Sequence, residues 1–492
     1  MPEQGLLLTI LEYMATVFIV VVGLIVLAVI IIYLLDINQT SQAIRRNYPV
    51  IGHLRYLFED LGKFFRQYFF AMDREELPFN RADRSWVYQA AKNLSTTRAF
   101  GSTRSLKQNG SIIFVNCPFP VLGEDATPIS KLSIGPYCAK PYTTDSLFNI
   151  SGMSFGAISK PAIQALSKGA QRAGCWMNTG EGGLSPYHLQ GGCDLVFQIG
   201  TAKYGVRTEA GLLDDDKLKK VAEHERVRMF ELKLSQGAKP GKGGILPGDK
   251  VTAEIAAIRG IPAGEDSISP NRHPEVDSVE QLLDAIQRIR DVTGKPVGIK
   301  FVLGAYGWLD ELFETIKQRG IKSAPDFITL DSADGGTGAA PMGLMDYMGL
   351  PLKESLPMLI RALNQHDLKE RIKVIASGKL ITPADAAWAL CEGADFIVSA
   401  RGFMFALGCI QALQCNKNTC PTGITTHNER LQKGLDPALK SVRIENYVRN
   451  MVHEVGVIAH SCGVREPRQL RPFHARIITK DGHSVSLEDL HK

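Results

Sequence analysis

Three cysteines lie within twelve residues in the C-terminal part of this chain of 492 residues. They are Cys409, Cys415 and Cys420, and Pro421 follows the last of them directly. Three thiolates held close together suit a soft metal site of iron or zinc. A zinc site would take His427, seven residues after Cys420, as its fourth ligand. The spacing therefore predicts a metal site, and three buried structural cysteines are the alternative.

Three glycine-containing segments predict a phosphate site. They are DGGTG (334–338), SGK (377–379) and SARG (399–402), and each ends an apolar run of the sequence. Backbone N–H groups bind phosphate where glycine allows a close approach and the N-terminus of a helix follows. Each segment alone is more simply explained as a turn. Together, at matching positions, they predict a cofactor that carries phosphate.

Lys300 is a further candidate for a cofactor contact, because it is a charged residue in the apolar run VGIKFVLG (297–304). A lysine that points into a protein interior is costly unless it meets an anion. The ring of a reduced, anionic flavin would be such a partner, and a solvated lysine at the rim is the alternative. The position predicts a contact with a bound cofactor.

Eight short apolar runs, each followed by a helical segment, must position these residues. Strands that alternate with helices form parallel β-α-β units, and eight units close into a (β/α)8 TIM barrel with its active site at the C-terminal strand ends. An open doubly wound sheet is the alternative, but no GxGxxG with a suitably spaced acidic residue follows the first run. The runs are FNISG (148–152), CWMNTG (175–180), LVFQIG (195–200), RMFELKLS (228–235), VGIKFVLG (297–304), FITLDSADGG (327–336), IKVIASGK (372–379) and ADFIVSARG (394–402).

The N-terminus contains an uncharged stretch of 23 residues, 13–35. A helix of that length is about 34 Å long and crosses a hydrocarbon core of about 30 Å. Arg45 and Arg46 follow it, so the positive-inside rule predicts a single-pass membrane protein whose catalytic part is cytoplasmic. A cleaved signal peptide is the alternative, but Glu12 and Asp36 flank the stretch where a basic leader and a cleavage site would be needed.

Composition and pattern together give the expected organisation. With 45% hydrophobic residues and a net charge of +5, the chain builds a large core and has no strong affinity for nucleic acid. We expect a transmembrane anchor at 1–36, a mixed helical segment at 37–140, the barrel with its cysteine loop at 141–430, and a helical extension at 431–492.

Seven motifs in collinear order resemble the FMN-binding synthase domain of glutamate synthase, over about residues 140 to 430. The most similar members are the standalone, membrane-anchored ones, which have this domain without the glutaminase part. The motifs are FNISGMSFGAIS (148–159), NTGEGG (178–183), KLSQGAKPGKGGILPGDKV (233–251), DGGTGAAP (334–341), ASGKL (376–380), SARGFMFALGC (399–409) and C-x5-C-x4-C-P-T-G (409–423).

The resemblance implies two cofactors. Cys409, Cys415 and Cys420 match the ligands of a [3Fe-4S] cluster, which would relay electrons. FMN would lie over the barrel mouth, and its predicted contacts are Met153 and Ser154 at the ring edge, Asn178 and Lys300 at the pyrimidine side, and Gly335, Gly336, Ser377, Gly378, Arg401 and Gly402 at the phosphate.

The resemblance also implies the reaction, which is reductive amination of 2-oxoglutarate to L-glutamate. Glu181 would stand beside the imine, where a carboxylate holds ammonium or stabilises an iminium. Gln236 and Lys239 would bind the dicarboxylate, with Lys233 and Arg272 as lesser candidates.

Departures from the large synthase leave part of the function open. The chain begins Met1-Pro2, without the nucleophilic cysteine of the glutaminase part, so we expect external ammonia or a separate amidotransferase. No nicotinamide fingerprint is visible, so we expect a ferredoxin or a reductase as electron donor. Two alternatives remain: a related flavoenzyme of the N-alkylglutamate synthase type, and a noncatalytic membrane-anchored redox scaffold. A 2-hydroxy-acid oxidase would need a histidine in the run VIASGK (374–379), which has none.

Overall fold

The computed structural model of the chain describes residues 2–305 and 307–490. Its internal contacts divide the chain into two compact units, residues 1–81 and 82–492. The predicted membrane span lies in the first unit, and all the predicted site residues lie in the second.

The first unit is helical. Its elements are α1 (Pro2–Asn38), α2 (Ala43–Asn47) and α3 (Gly52–Phe65), and one π-helical turn (Arg66–Phe70) extends α3. Within Gly5–Asn38, an 18-residue window has a mean hydropathy of 3.4, and the helix is long and apolar enough, by length and composition, to cross a membrane. The predicted anchor is therefore a continuous helix.

The second unit alternates strands and helices through most of its length. Its strands are β1 (Ile112–Phe114), β2 (Leu132–Ile134), β3 (Tyr142–Thr144), β4 (Phe148–Ile150), β5 (Met177–Asn178), β6 (Leu195–Ile199), β7 (Val227–Lys233), β8 (Ile245–Leu246), β9 (Ser267–Ile268), β10 (Val297–Val302), β11 (Phe327–Asp331), β12 (Lys373–Ser377), β13 (Phe396–Ser399), β14 (Ala475–Ile478) and β15 (Ser484–Ser486). Its helices are α4 (Arg81–Ala91), α5 (Lys160–Ala173), α6 (Pro186–Gln190), α7 (Asp215–Glu223), α8 (Ala253–Arg259), α9 (Val279–Thr293), α10 (Trp308–Arg319), α11 (Met342–Met345), α12 (Leu352–Gln365), α13 (Pro383–Cys391), α14 (Arg401–Leu407), α15 (Glu429–Gln432), α16 (Pro437–Ser461) and α17 (Leu487–Leu490).

Eight of these strands form a closed parallel barrel. The order is β4-β5-β6-β7-β10-β11-β12-β13, and β13 pairs with β4 to close it. Each of the eight apolar runs contains one barrel strand, so the (β/α)8 barrel predicted from the sequence is confirmed. Inside, large side chains such as Trp176, Met229 and Phe327 form a buried cluster, because alternate residues of each strand point inward.

The helices around the barrel begin and end at residues with the expected chemistry. Ser159 caps α5 by accepting a hydrogen bond from the backbone N–H of Ala162, and Gly174 ends the helix with a left-handed φ of 72°. Helix α16 packs on α5 so closely that a Cβ atom at Gly169 would lie 2.4 Å from the Cβ of Ile444. The long C-terminal helix is thus part of the barrel's outer layer.

One insertion lies at the mouth of the barrel, between β7 and β10. It contains the antiparallel pair β8 and β9, in which Ile245 pairs with Ile268, and helix α8 between them. Because the insertion follows the C-terminal end of β7, its loops lie where the predicted active site is.

The C-terminal extension is not helical throughout. After α16, strand β14 pairs on one side with β15 and on the other with β1, both antiparallel. The segments before and after the barrel are therefore joined in one three-stranded sheet.

Candidate active site at the barrel mouth

A buried carboxylate organises the floor of the mouth. Glu231, on β7, accepts hydrogen bonds from Asn178 (2.8 Å) and Gln198 (2.6 Å) on the neighbouring strands β5 and β6. Thr329, on β11, donates to its other oxygen at 2.5 Å. The network fixes the side chain of Asn178, one of the predicted flavin contacts, so that its oxygen accepts from the N–H of Gly180 at 2.9 Å.

Lys300 points into the barrel next to this network, as predicted. Its ammonium lies 3.4 Å from the carboxylate of Asp331, at the end of β11. Burial lowers the pKa of Lys300, but the carboxylates of Asp331 and Glu231 outweigh burial and raise it overall. The anion that the lysine requires is therefore supplied, at least in part, by the protein.

The three predicted phosphate segments meet at the C-terminal ends of β11, β12 and β13. Arg401 donates to the carbonyl of Thr337 at 3.2 Å, and a Cβ atom at Gly336 would lie 2.2 Å from its guanidinium. Gly378, with φ 134°, passes so close to Ser332 that a Cβ atom would lie 2.2 Å from the serine Cβ. Glycine is therefore required at both positions by the way the loops approach each other.

The remaining predicted phosphate contacts lie in the same place. Ser377 uses its hydroxyl to donate to Asp331 at 2.8 Å, and the N–H of Gly402 donates to the hydroxyl of Ser399 at 3.3 Å. Gly335 turns back so that its N–H donates to the carbonyl of Ser332 at 3.0 Å. The structure thus brings all six predicted phosphate residues to one side of the mouth.

The predicted ring-edge residues, Met153 and Ser154, follow β4. A Cβ atom at Gly180 would lie 2.6 Å from the backbone nitrogen of Ser154, so the loops after β4 and β5 are in contact. Ser154 also lines a cavity of about 570 Å³ that opens beside the mouth.

That cavity, which we call the cationic pocket, carries several buried charges. Its charged lining residues are Glu181, Lys239, Lys250 and Arg259, and Cys415 lies at its far side. Lys239 and Lys250 are each 2% exposed, and Arg259 is 5% exposed. Three buried cations around one carboxylate favour an anionic ligand, because each desolvated charge needs compensation.

Glu181 is held between glycines and a lysine. Lys233 lies 3.1 Å from its carboxylate, and Cβ atoms at Gly200 or Gly244 would lie 2.6 and 2.5 Å from its oxygens. Burial raises the pKa of Glu181, but Lys233, Lys239 and Arg259 outweigh it and lower the pKa below its ordinary value. Glu181 is therefore a fixed, ionised carboxylate at neutral pH.

Three of the four predicted substrate residues, Lys233, Gln236 and Lys239, lie near Glu181, and Arg272 does not. Lys233 donates to the side-chain oxygen of Gln236 as well as contacting Glu181. Arg272, in contrast, is exposed and donates to the carbonyls of its own loop, at 2.9 Å for Val276. Its guanidinium is used to fold the loop after β9.

Sequence reasoning missed Lys250 and Arg259. Lys250 donates to the carbonyls of Ala157 (3.0 Å) and Cys415 (3.3 Å), so it lies between the cationic pocket and the cysteine loop. Arg259 packs over Tyr204 and donates to Ser267 at 3.2 Å, while its Nε has no hydrogen-bond partner among the described residues. Lys250 lies within the motif KLSQGAKPGKGGILPGDKV (233–251), so a signal for it was present in the sequence. Arg259, the last residue of α8, lies in no recognised motif.

The three predicted ligand cysteines line one cavity of about 490 Å³. Burial raises the pKa of Cys409 to about 11. Burial also raises the pKa of Cys420, but hydrogen bonds from Thr422 and Thr425 outweigh it and lower the pKa below that of a free thiol. In the described part of the chain, no group of three or more His, Cys, Asp or Glu side chains is arranged to hold a metal ion.

The cysteine loop has an unusual backbone. Gln411, Leu413 and Asn418 all have positive φ angles, between 55° and 59°, which cost free energy in residues other than glycine. Tyr88, on α4, donates from its hydroxyl to the carbonyl of Cys409 at 2.6 Å. A strained loop braced from outside is typical of a functional segment.

His427, the candidate fourth ligand of a zinc site, lies elsewhere. Its Nε2 donates to the carbonyl of Gly156 at 2.8 Å, its ring packs on Phe155, and it does not line the cysteine cavity. Nothing in this arrangement favours zinc over iron.

Comparison with known proteins identifies the family. Residues 126–465 match the family model described as the conserved region in glutamate synthase. The glutamate synthase large subunit-like protein YerD of Bacillus subtilis (strain 168) is 38% identical, over 96% of this chain and 97% of that protein. The archaeal glutamate synthase [NADPH] of Methanocaldococcus jannaschii is 32% identical, over 72% of this chain and 66% of that protein.

Among solved structures, the flavin-binding domain of Baker's yeast flavocytochrome b2 has a TM-score of 0.47 at 14% identity, over 82% of this chain and 81% of that one. A mandelate oxidase variant with an FMN adduct has a TM-score of 0.40 at 15% identity, over 80% of this chain and 92% of that one. The match to the family model and the identity to YerD over nearly the whole of both chains show that this chain belongs to the glutamate synthase family.

Proposed function

We propose that the protein is an oxidoreductase of the glutamate synthase type, which forms L-glutamate from 2-oxoglutarate and ammonia. Membership of the family and the names of its relatives support the general class. The observation that carries the specific reaction is the cationic pocket, where Lys239, Lys250 and Arg259 surround Glu181 beside the barrel mouth. A pocket of this charge suits a small dicarboxylate.

Lys239 and Arg259 are the groups we assign to the substrate carboxylates. Burial lowers the pKa of Lys239, against the opposing effect of Glu181, and a bound carboxylate would stabilise its charged form. The guanidinium of Arg259, which lines the same pocket, offers further donors. Lys233 donates to Gln236 and contacts Glu181, so these residues hold one another in position beside the substrate.

Glu181 is the group we assign to the reacting carbon. Its low pKa keeps it ionised, so it attracts ammonium and stabilises the positive charge that develops when the keto group becomes an iminium. Lys233, at 3.1 Å, holds the carboxylate in place and supplies a proton donor beside the departing water.

The residues at the mouth fit FMN, and we assign an iron–sulfur cluster to the cysteine loop because its three thiols line one cavity, although in the described chain they are not gathered around one metal position. The glycine loops at Gly336 and Gly378, with Arg401, leave backbone and guanidinium donors for a phosphate, and Ser154, Asn178 and Lys300 border the place for the ring. Three thiols that line one cavity suit a [3Fe-4S] cluster bound by Cys409, Cys415 and Cys420. When bound, FMN supplies the hydride for the iminium carbon and the cluster supplies single electrons.

The membrane anchor and the external partners belong to the same proposal. The helix Gly5–Asn38 would hold the protein in a membrane, with the catalytic unit on the cytoplasmic side. Ammonia would come as free ammonium or from a separate amidotransferase, and electrons from a ferredoxin or a reductase.

The proposal is tested by a half-reaction under anaerobic conditions. The full chain, purified in detergent, is reduced, 2-oxoglutarate and ammonium are added, and flavin reoxidation is followed while glutamate is assayed. Reoxidation with a matching amount of glutamate supports the proposal. A flavin that stays reduced with ammonium and with methylamine contradicts it.

One observation favours a second candidate, an enzyme that uses an alkylamine instead of ammonia. One wall of the cationic pocket is apolar and is formed by Ala157, Ile245 and Leu246. Such a wall would accommodate a methyl group on the amine. Faster flavin reoxidation with methylamine than with ammonium would identify this variant.

The cysteine assignment predicts the effect of Cys415→Ser. We expect this variant to lose the iron of the purified protein and to keep its FMN, because a serine oxygen is a poor ligand for iron–sulfur clusters and the phosphate loops are untouched. Iron and flavin are measured per chain. Cys117→Ser, outside the cysteine cavity, is the matched control and should keep both, whereas unchanged iron in Cys415→Ser would count against the cluster.

The pocket assignment predicts the effect of Lys239→Ala. Loss of a charge-assisted hydrogen bond to a carboxylate costs about 1.5–3 kcal/mol, so 2-oxoglutarate binding should weaken by about tenfold to a hundredfold without loss of flavin. Lys242→Ala removes an exposed lysine three residues further along the same loop and should bind normally. A change of less than about twofold in Lys239→Ala would show that the substrate lies elsewhere.

A further inference from the structure

We propose that a basic surface beside the cysteine loop is the docking site of an acidic electron-carrier protein. The surface, which we call the basic face, consists of Lys92, Lys440 and Arg443 together with the exposed apolar side chains of Ile410 and Leu413. The inference rests on the proposed function, since it concerns how electrons reach the site.

Two neighbouring helices bring the three cations together. Lys92 follows directly after α4, whose last residues are held to α16 because Asn446 donates to the carbonyl of Ala91 at 3.2 Å. Lys440 and Arg443 lie one turn apart on α16. Burial lowers the pKa of Lys440, and the nearby charges of Arg443 and Lys92 lower it further.

The basic face adjoins the cysteines directly. The ammonium of Lys440 lies 3.0 Å from the place where a Cβ atom on Gly408 would be, and Gly408 immediately precedes Cys409. The hydroxyl of Tyr88, one turn before Lys92, binds the carbonyl of Cys409. A carrier bound here would therefore lie next to the cysteine cavity.

In the part of the chain that the structure describes, the cations of this face form no ion pairs. Among the described residues, no carboxylate lies within 4.0 Å of the side-chain nitrogens of Lys92, Lys440 or Arg443. Like charges at close range repel one another, and an acidic partner would relieve that repulsion and be steered toward the face. The complementary partner is negatively charged.

Two exposed apolar side chains of the cysteine loop provide the apolar contact area of such an interface. Ile410 is 40% exposed and Leu413 is 67% exposed. A few apolar residues beside a charged rim are the usual composition of a transient protein interface. An anionic membrane surface would also attract the cations, but the position beside the cysteines favours a redox protein.

The electron balance is consistent with this role. Each glutamate formed from 2-oxoglutarate and ammonium takes up two electrons and two protons and releases one water. A one-electron carrier must therefore dock twice in each turnover and leave between visits, which suits a weak, charge-steered interface.

The test uses the full chain in detergent and a reduced plant-type ferredoxin as an acidic probe. Glutamate formation is measured against ferredoxin concentration for the wild type, for Lys92→Glu/Arg443→Glu, and for Lys219→Glu/Lys220→Glu, which changes the net charge equally on exposed residues of α7. Methyl viologen, a small reductant that needs no docking face, is used in parallel, and flavin content confirms folding.

We expect the half-saturating ferredoxin concentration to rise by about tenfold in Lys92→Glu/Arg443→Glu only, with a weaker dependence on salt and unchanged rates with methyl viologen. Equal ferredoxin kinetics in all three proteins would overturn the proposal. A second result would also overturn it. If phosphatidylserine nanodiscs protect Lys440 of the wild type from acetylation, and Lys92→Glu/Arg443→Glu loses that protection while its ferredoxin kinetics stay normal, the face binds lipid. If methyl viologen yields no glutamate with the wild type, the proposed function itself fails. Calorimetric measurement of ferredoxin binding to the same three proteins then tests separately whether the basic face is a docking site.

Discussion

Glu181→Gln is expected to slow glutamate formation by about a hundredfold to a thousandfold. The substitution keeps the shape of the side chain and removes its charge. Electrostatic groups aimed at a developing charge typically contribute this much, because they act in a site from which water is largely excluded. The ammonium of Lys233, 3.1 Å from the carboxylate, would also lose its counterion. The measurement is the rate of reoxidation of the reduced flavin by 2-oxoglutarate and ammonium.

A change in chemistry must be distinguished from a loss of structure. Glu181→Gln should keep its flavin, since the groups that hold Glu181, Lys233 and the backbone at Gly200 and Gly244, lie outside the phosphate loops. Glu254→Gln, which replaces an exposed carboxylate on α8 that accepts from Tyr187, should react at the normal rate. A normal rate in Glu181→Gln would remove this residue from the mechanism.

The pH dependence of the wild type follows from the same geometry. The pKa of Glu181 in the folded protein is lowered below its ordinary value of 4.5. The carboxylate therefore stays ionised throughout the neutral range, and the stability that it contributes is lost only as the pH falls through the lowered pKa. We expect no acid limb from this residue in rates measured above pH 5.

The second large effect is expected at Asp326, far from the mouth, just before β11. Its side chain is fully buried and accepts from Arg290 at 3.2 Å and from Arg371 at 2.8 Å. It also accepts from the backbone N–H of Val297, at the start of β10, at 2.9 Å. One carboxylate thus joins three consecutive strands at the N-terminal end of the barrel.

Asp326→Ala should lower the free energy of unfolding by about 3–5 kcal/mol. Removing one partner of a buried ion pair leaves the others without compensation, and here two guanidinium groups would remain. The shift is read from urea unfolding of the full chain in detergent. Asp284→Ala is the matched control: its pair with Arg319 is even shorter, at 2.6 Å, but the carboxylate is exposed, so the variant should change stability by at most about 1 kcal/mol. Equal shifts in the two variants would contradict the assignment.

The barrel was predictable because its signal is repeated. Each parallel strand is buried on both faces and therefore appears as a continuous apolar run, and the polar residues after each run mark the mouth. The strands β1, β14 and β15 were not foreseen. They are three or four residues long, and β1 is separated from its partner β14 by the sequence of the whole barrel, so local pattern contains no information about that pairing.

The site was predictable where its residues lie at strand ends and not where they come from the insertion. Asn178 and Lys300 lie in barrel strands β5 and β10, the phosphate loops follow β11, β12 and β13, and the structure places all of them at the mouth. Arg259 reaches the cationic pocket from the end of α8, and Arg272 turns away from it. The positions of both arginines depend on the conformation of the insertion between β7 and β10. Residue type and spacing do not reveal that conformation.

The sheet that joins β1 to β14 also has a consequence for synthesis. Phe114 pairs with Ala475, so β1 has left the ribosome long before its partner exists. At about 5–20 residues per second, the intervening chain takes roughly 20–70 seconds to make. During that time β1 is an unpaired edge, and its length of only three residues limits the opportunity for mispairing with another chain. The nascent protein can complete its barrel during this interval, but the sheet closes only after β14 has been made.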